Sequence, residues 1–509
     1  MGFQSILGVN KMEAIRPEDI DMPMFFYDLN LDLIVQDIME EQKLYDLRRY
    51  YYYKGDEKDI AYRLEVMKDL QQGSVLQSIV VFSISLRKAK EYFNNIAETD
   101  NIIQKQKWKL DSAGIYIEGV MELQKNMELY RYAFNSQGLT SFRDWLDTYI
   151  ISEEFSRLKY DTEQIMKQFN EMRFHIRIKR DRVIINQGYL EEDYCKQLQD
   201  TFKEQSTEKH FYQQNPFGSI ILSGLEEAVL DILKKPYAQT FQELKVYDSK
   251  YSKFFNPTLS EFDQESQFYI AFCLYRDKMK DMNFHFCFPE ISEKEELRIT
   301  DGYDLALAKK NAMLKKEVVY NDCYFEPKEQ FFVITGPNQG GKTTFARALG
   351  QILYFQSVGL MVPCREAHLP NFDGIYTHFA SEEAMDTGAG KLKEELIRLK
   401  AMMRVATKRS FIIINEIFTS ATTYDAHIMG KRVIDYFMDQ GCHGIYVTHI
   451  YELTKDDDRV VSLVASLLSQ DSHIRTFKME RRPADGRSYA NTIVEKHRMT
   501  YLEIKERIL

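Results

Sequence analysis

The spacing of apolar side chains predicts a mainly helical first half of the chain. Through the first hundred or so residues, apolar positions recur at helical spacing, as at Ile60, Leu64 and Met67. From residue 101 to about residue 170 the repeat becomes seven residues long. Two series carry it, on either side of the polar segment 135–141: Ile103, Leu110 and Ile117, then Ile151, Leu158 and Ile165. Because a seven-residue repeat keeps apolar side chains on one side of a helix, the series predict an antiparallel coiled-coil arm, with ordinary bundle helices as the alternative.

A two-residue alternation replaces the helical spacing at residues 173–186, RFHIRIKRDRVIIN. This period predicts a β-hairpin with one face toward solvent. Between residues 173 and 182 there are five basic side chains and one acidic side chain. We therefore expect the hairpin to contact the phosphates of a nucleic acid, or else to present only a solvated charged face. The candidate contact residues are Arg177, Lys179, Arg180 and Arg182.

The second half of the chain contains the pattern G-x-x-x-x-G-K-[ST], in the segment FFVITGPNQGGKTTFARALGQILYF from residue 331. The pattern stands between an apolar strand and a helical repeat, as a P-loop requires. Its glycines allow backbone N–H groups to face phosphates, and the start of the following helix attracts anions. The Lys342 ammonium would reach the β- and γ-phosphates, and the Thr343 hydroxyl would bind Mg²⁺. The predicted ATP and Mg²⁺ site comprises Gly336, Pro337, Asn338, Gln339, Gly340, Gly341, Lys342, Thr343 and Thr344.

Buried strands alternate with helical segments in this half of the chain. Two predicted strands cover residues 331–334 and 412–414, and a third, in HGIYVTHIYEL from residue 443, ends in Thr448 and His449. This alternation predicts a mostly parallel, doubly wound sheet. The expected fold class is therefore an α/β P-loop ATPase domain preceded by a mainly α-helical core and lever domain with coiled-coil arms. Ligands bind beyond the C-terminal ends of such strands, so the residues at those ends should converge on one site. These residues are Thr335, Asn415, Glu416 and His449.

Four regions follow from these patterns. Residues 1–100 form the first part of a helical core, and residues 101–240 form lever arms with the small basic hairpin. Residues 241–295 form the second part of the core, and residues 296–509 form the ATPase domain.

Composition narrows the class of protein. Hydrophobic residues make up 44% of the chain and charged residues 28%, as in globular proteins. The formal net charge of -10 argues against a protein that coats nucleic acid without sequence preference. The six cysteines include no C-x-x-C pair, so reduced thiols are expected. The N-terminus has no cleavage pattern, and the most apolar stretch, 75–86, is too short to cross a bilayer. We expect a cytoplasmic protein without membrane contact.

Four segments of the second half stand in a characteristic order: TGPNQGGKTT, VGLMVPC at 358–364, NEIFTSATTYDAHIMGKRV from residue 415, and THIYEL from residue 448. Together they resemble the ATPase domain of the MutS mismatch-repair proteins. The resemblance covers roughly residues 315–509, and FFYDLNLDLIV and YRLEVMKDLQ are similar to the start of that family's helical core. It implies an ATPase that forms a homodimer through its ATPase domains and binds DNA.

The resemblance also implies roles for single residues. Glu416 would orient or deprotonate the attacking water, with Lys342 and His449 as further catalytic groups, and His449 would sense the γ-phosphate. Asp425, expected in the loop after the second strand, would communicate across the dimer. Gly390 and Lys391 replace the Ser-Thr pair that usually reaches the partner's nucleotide.

Before the P-loop, Asn321 and Asp322 match an Asn-Asp pair of the family, and Val318 stands near where an adenine-stacking aromatic is usual. Asn415 stands where the family has a Mg²⁺-binding Asp. An amide keeps an oxygen acceptor but loses the negative charge. We therefore expect Asn415 and Thr343 to hold Mg²⁺ weakly and hydrolysis to be slow.

The resemblance favours an ATP-dependent clamp on double-stranded or branched DNA in repair or recombination. We expect no separate mismatch-reading domain before the helical core, so branched or otherwise structured DNA is expected more than single mismatches. Two alternatives stay open: an ATP-driven partner of a large assembly such as the ribosome or a repair complex, and a nucleotide-binding switch without useful hydrolysis.

Overall fold

The computed structural model describes residues 3–9, 21–52, 57–179, 182–187, 224–292, 296–380, 390–455, 457–468 and 475–484. For residues 176–179, 182–187, 224–228 and 391 only the backbone is described. The chain divides into two compact units. Unit 1 comprises Met1–Phe3, Leu70–Asn135 and Leu139–Asp263, and unit 2 comprises Gln4–Asp69, Ser136–Gly138 and Gln264–Leu509. Within the described ranges, no helix has both the length and the apolar content that a membrane crossing requires.

The first helices of the chain are α1 Phe25–Asp28, α2 Leu31–Glu40, α3 Arg48–Tyr52, α4 Glu57–Leu70, α5 Gly73–Asn94, α6 Ile102–Leu129, α7 Gln137–Ile150 and α8 Glu153–Glu171. The later helices are α9 Gly224–Leu233, α10 Ala238–Lys250, α11 Pro257–Asp281, α12 Leu305–Met313, α13 Lys342–Ser357, α14 Lys391–Val405 and α15 Thr423–Asp439.

The first strands are β1 Phe174–Lys179, β2 Arg182–Gln187, β3 Glu290–Ile291, β4 Arg298–Gly302, β5 Asn321–Tyr324 and β6 Phe331–Thr335. They are followed by β7 Glu366–Leu369, β8 Gly374–Phe379, β9 Ser410–Asn415, β10 His443–Val447, β11 Val460–Leu467 and β12 Arg475–Arg481.

In unit 1, α5 and α6 pack along each other. The side chain of Asn101 caps α6 by accepting hydrogen bonds from the backbone N–H groups of Ile103 and Gln104 at 3.0 and 3.1 Å. The two helices approach closely at Gly119, where a Cβ atom would lie only 2.8 Å from the Cβ of Ser85. A glycine is needed there for space, since any side chain would push the helices apart.

The seven-residue repeat is buried over most of its length. Leu110 and Ile117 on α6 are buried, as are Leu158 and Ile165 on α8, and α6 contacts α8. Ile151 differs, because it lies between α7 and α8 and 76% of its surface is exposed. The second series therefore begins with α8, and the chain forms the additional helix α7 before it.

The predicted hairpin is confirmed at the level of the backbone. Strands β1 and β2 pair antiparallel, with Phe174 opposite Gln187 and Lys179 opposite Arg182. The turn residues Arg180 and Asp181 lie outside the described residues.

Unit 2 contains a six-stranded sheet in the order β12-β11-β6-β10-β9-β8. All neighbouring pairs from β11 to β8 are parallel, and β12 pairs antiparallel with β11. The three strands predicted from sequence are β6, β9 and β10, which form the centre of this sheet and are confirmed as strands. Since β6 is buried along its whole length and β9 along all but its last residue, a continuous apolar run suits both.

A second sheet of four strands has the order β3-β7-β4-β5. Helix α13 contacts β4 of this sheet and also β8, β9, β10 and β12 of the larger one. The helix α15 packs on β10, where Phe437 and Val433 join the same apolar cluster as Ile412 and Ile414 of β9. The helix after the P-loop is thus held firmly on the central strands.

The edge strand β8 carries a buried histidine that contacts α14. His378 exposes 1% of its surface, and its Nε2 donates to the backbone oxygen of Glu395 at 3.2 Å. Burial, assisted by the positive charge of Arg398, lowers the pKa of His378 from 6.5 to about 4. The imidazole is therefore neutral in the folded protein, even in mildly acidic solution.

We expect His378 to make folding less stable as the pH falls from about 7.5 to about 5.5. Over this range the unfolded imidazole binds a proton and the folded imidazole does not. With pKa values of 6.5 unfolded and about 4 folded, the loss is about 1.3 kcal/mol. His378→Gln keeps an N–H donor toward Glu395 and should remove this part of the pH dependence. Thermal unfolding of both proteins at the two pH values measures it, and an unchanged pH dependence in the variant would contradict a neutral buried His378.

Candidate nucleotide site

A cavity of about 390 Å³ opens at the C-terminal end of β6, where the P-loop meets α13. Residues from five segments of unit 2 line it. They are Gly302, Tyr303, Asp304, Leu307, Asn311, Glu317, Val318, Val319, Asn321, Gln339, Gly340, Gly341, Lys342, Thr343, Thr344, Phe345, Ala348, Glu416 and Phe477.

The P-loop backbone has a shape that favours glycine. Gly336 has φ +126° and Gly341 has φ +91°, both in the region that side chains avoid. A Cβ atom on Gly336 would also lie 3.0 Å from the backbone nitrogen of Ala465 in β11. Strand β11 therefore supports the loop from behind, and glycine is needed at Gly336 both for conformation and for space.

Lys342 is the first residue of α13 and is 4% exposed. Its ammonium donates hydrogen bonds to the backbone oxygens of Gly336 and Pro337 at 3.1 and 3.2 Å, and lies 3.8 Å from the carboxylate of Glu416. Burial lowers the pKa of Lys342, and the charge of Glu416 opposes that shift. The P-loop backbone therefore holds the Lys342 ammonium in place beside the loop, where its positive charge can interact with phosphates.

The two predicted metal ligands lie next to each other. The hydroxyl of Thr343, in the first turn of α13, donates to Oδ1 of Asn415 at the end of β9, at 2.9 Å. Both oxygens are neutral, and the described residues contain no group of three or more His, Cys, Asp or Glu side chains that could hold a metal ion. A hydroxyl and an amide oxygen suit Mg²⁺ as two of its six ligands, so the remaining ones have to come from phosphate and water.

Glu416 follows β9 and faces Lys342 and His449. Its backbone N–H donates to the oxygen of Val447 at 3.0 Å, and its carboxylate lies 3.3 Å from Nε2 of His449. The hydrogen bond from His449, with a smaller effect of the Lys342 charge, holds the pKa of Glu416 below its usual value. Glu416 is therefore an ionised carboxylate at neutral pH, able to orient a water molecule and to accept its proton.

The opposite wall of the cavity is mainly apolar and was not predicted in full from the sequence. Leu307, Val318, Val319 and Phe477 contribute to it. Val318 thus lies in the cavity, as its position in the sequence suggested.

Asn321 links this wall to β12. Its side-chain amide donates to the backbone oxygen of Phe477 at 3.1 Å, and its Oδ1 accepts from the N–H of Met479 at 2.8 Å. The neighbouring Asp322 accepts from the N–H of Asp301 at 2.7 Å, which makes its role a local one in the small sheet.

The contribution of β4 and α12 to the cavity was not predicted from the sequence. The carboxylate of Asp304 caps α12 by accepting from the N–H of Leu307 at 2.9 Å. The segment GYDLAL does carry a capping pattern, from which the start of a helix could have been found. Nothing in that pattern indicates that the helix faces the P-loop.

Some predicted residues lie away from the cavity wall. Gly390 is the exposed N-cap of α14, and Lys391 is the first residue of that helix. Asp425, expected in the loop after β9, lies instead in the first turn of α15, because Thr422 caps that helix early. The exposed Asp425 carboxylate accepts from the Thr422 hydroxyl at 2.7 Å.

The hairpin residues have no described side chains. Arg177 and Lys179 belong to β1 and Arg182 begins β2, while Arg180 lies outside the described residues.

A P-loop at the end of a parallel strand, with a lysine, a hydroxyl and a carboxylate at one cavity, defines a P-loop ATPase-type domain. The family described as MutS domain V matches residues 332–502, about a third of the chain. Over that part, the chain is similar to the MutS family.

Curated relatives agree with this assignment. The DNA mismatch repair protein MutS of Bacillus subtilis (strain 168) is 32% identical over 182 residues, which are 36% of this chain and 21% of that protein. MutS of Bacillus cereus (strain ZK / E33L) is 33% identical over 176 residues, 34% of this chain and 20% of that protein. MutS of Geobacillus sp. (strain WCH70) is 28% identical over 216 residues, 42% of this chain and 25% of that protein. The chain thus spans a fifth to a quarter of the length of these relatives.

Proposed function

We propose that the chain binds ATP with Mg²⁺ in the cavity at the end of β6, hydrolyses it slowly, and uses it to grip DNA. The observation that carries the proposal is the convergence of three groups at one cavity: the Lys342 ammonium, the Thr343–Asn415 pair, and the Glu416–His449 pair. They supply phosphate binding, metal ligands and a base.

Each group has a defined task. Backbone N–H groups of the P-loop and the Lys342 ammonium bind the phosphates. Thr343 Oγ1 and Asn415 Oδ1 would hold Mg²⁺ together with phosphate oxygens, and the bound ion would neutralise phosphate charge. The Glu416 carboxylate orients the attacking water and accepts its proton, while His449 fixes the position of that carboxylate and lies where it can also respond to the γ-phosphate.

We further propose that a second copy completes the site. In this arrangement the start of α14, at Gly390 and Lys391, reaches the partner's nucleotide, and Asp425 takes part in the contact between the ATPase domains. The doubly wound layout and the coiled-coil lever arms of residues 101–240 belong to the same proposal, in which ATP binding closes the dimer and hydrolysis reopens it.

DNA is the favoured target because the three relatives above are described as DNA mismatch repair proteins. Mismatched, branched or otherwise structured duplexes are the substrates to test. A large assembly such as the ribosome is the competing target, and none of the three relatives above supports it. Stimulation of the ATPase by ribosomes and not by DNA would reverse this order.

The binding of ATP is tested with Lys342→Ala. We expect retention of labelled ATP in magnesium buffer to weaken by about tenfold to a hundredfold, since a charge-assisted contact contributes about 1.5–3 kcal/mol. Lys400→Ala removes an exposed lysine of α14 and serves as the control. Retention that is equal in the two variants, or absent from the unmodified protein, would contradict the proposed site.

The role of Asn415 is tested with Asn415→Asp. A carboxylate beside the Thr343 hydroxyl would add a negative charge to the metal site. We expect the Mg²⁺ concentration at half-maximal ATPase to fall by about tenfold, and Asn415→Ala to raise it. A steady-state Mg²⁺ titration of the three proteins measures the shift. An unchanged midpoint in Asn415→Asp would exclude this residue from the metal site.

The hairpin is tested by changing four residues together: Arg177, Lys179, Arg180 and Arg182 to Ala. If each contacts a phosphate, the slope of log affinity against log salt should become shallower by about 3.6 for duplex DNA. The matched control removes four exposed charges of α14 and α15: Lys400, Arg404, Lys431 and Arg432 to Ala. Equal effects of the two quadruple variants would mean that overall charge, not the hairpin, governs binding.

A further inference from the structure

A buried carboxylate outside the cavity wall connects α14 to the segment that carries Glu416. Glu395, in the second turn of α14, exposes 3% of its surface. Its Oε2 accepts a hydrogen bond from the backbone N–H of Phe418 at 3.0 Å. Its Oε1 is buried and has no hydrogen-bond partner among the described residues. Burying a carboxylate with one oxygen unpaired costs free energy, so the presence of a glutamate at this position needs an explanation.

The segment that Glu395 contacts has an unusual backbone. Glu416 has φ 52° and Phe418 has φ 62°, two non-glycine residues in the left-handed region within three positions. Each such residue is unfavourable, and it persists only where its surroundings hold it in place. The Phe418 side chain is buried in the apolar cluster beside β9, which supplies part of that restraint. The hydrogen bond from the Phe418 N–H to Glu395 supplies the rest of the restraint, and it fixes the orientation of the backbone.

The hydrogen bond to Phe418 matters for the proposed chemistry because Phe418 lies close to Glu416 in the chain. Only Ile417 separates Phe418 from Glu416, whose carboxylate faces His449 at 3.3 Å and Lys342 at 3.8 Å. A change in the backbone at Phe418 therefore changes the aim of the Glu416 carboxylate. Orientation of a reacting group is sensitive at this scale, since a displacement of about 1 Å can cost on the order of a hundredfold in rate.

Glu395 is itself held from the other side. Its backbone oxygen accepts from Nε2 of His378 in β8 at 3.2 Å. The strand β8 pairs in parallel with β9, so the same sheet supports both ends of the connection. Helix α14 cannot shift along its axis at Glu395 without disturbing either His378 or Phe418.

We propose that Glu395 is a positioning residue for Glu416: its carboxylate holds the strained segment after β9 and so sets the aim of the base. The inference rests on the proposed function, in which Glu416 is that base. Glu395 also lies five residues after Gly390, so it links the start of α14 to the hydrolytic centre. A shift of α14 therefore alters hydrolysis without altering the phosphate-binding loop.

The test compares three variants of Glu395 with a packing control. Glu395→Ala removes the acceptor, and Glu395→Asp keeps the charge but shortens the side chain so that it no longer reaches the Phe418 N–H. We expect both to lower kcat for ATP by about tenfold to a hundredfold, with the Kd for ATP changed by less than about threefold. Glu395→Gln keeps an acceptor oxygen at the same reach and should stay within about threefold of the unmodified kcat.

Leu399→Ala is the control for packing, because Leu399 lies one turn after Glu395 in the same apolar cluster as Phe418, and its truncation removes packing while the hydrogen bond from the Phe418 N–H to Glu395 stays. It should lower the melting temperature while leaving kcat within about threefold. A kcat loss in Leu399→Ala equal to that in Glu395→Asp would overturn the proposal, as would a Glu395→Asp protein with unmodified kcat. So would a Glu395→Gln protein as impaired as Glu395→Asp.

A second measurement separates this inference from the proposed function. Hydrogen exchange of the Phe418 amide should be faster in Glu395→Ala and Glu395→Asp than in Glu395→Gln or Leu399→Ala. If the unmodified protein binds ATP but does not hydrolyse it, the proposed hydrolysis fails while the exchange pattern still decides whether Glu395 holds the segment. Equal exchange in all variants would refute the role of Glu395 whatever the ATPase result.

Discussion

The candidate site depends on the parallel register of three strands. In the ladder, Val447 of β10 is paired both with Ile334 of β6 and with Asn415 of β9, so the three strands end at one level. Two further hydrogen bonds extend this alignment past the strand ends: Thr448 N–H to Ile334 at 3.0 Å and Glu416 N–H to Val447 at 3.0 Å. The P-loop, Asn415 and Glu416 meet because the backbone brings them to the same edge of the sheet.

Opposite charges meet at this edge of the sheet. Within the described part of the cavity surroundings, the Lys342 ammonium and the Glu416 carboxylate face each other, and Asn415 adds an oxygen without a charge. An aspartate in that position would repel a triphosphate unless a cation stood between them. An asparagine avoids that repulsion. Under the proposed function, phosphate binding would therefore depend less on the metal, and hydrolysis would be slower.

Local patterns predicted the elements that are continuous in sequence. The P-loop, the strands at β6, β9 and β10 and the backbone of the hairpin all follow from short stretches whose composition matches one structure. What the sequence did not reveal are contacts between distant segments. Phe477 reaches the cavity because β12 pairs antiparallel with β11, and Glu395 reaches Phe418 across 23 positions. From sequence alone, an acidic residue such as Glu395 in a helix rich in charged residues is expected to face solvent.

The close approach of α5 and α6 at Gly119 has a mechanical consequence. The helices α5 and α6 pack along each other. At Gly119 the Cβ of Ser85 lies against the backbone of α6, with no long side chain between the two helices. A pair of helices in such close contact resists bending more than two separate helices would. Force applied at one end of this pair would therefore reach the other end as a displacement, with little lost to flexing between them.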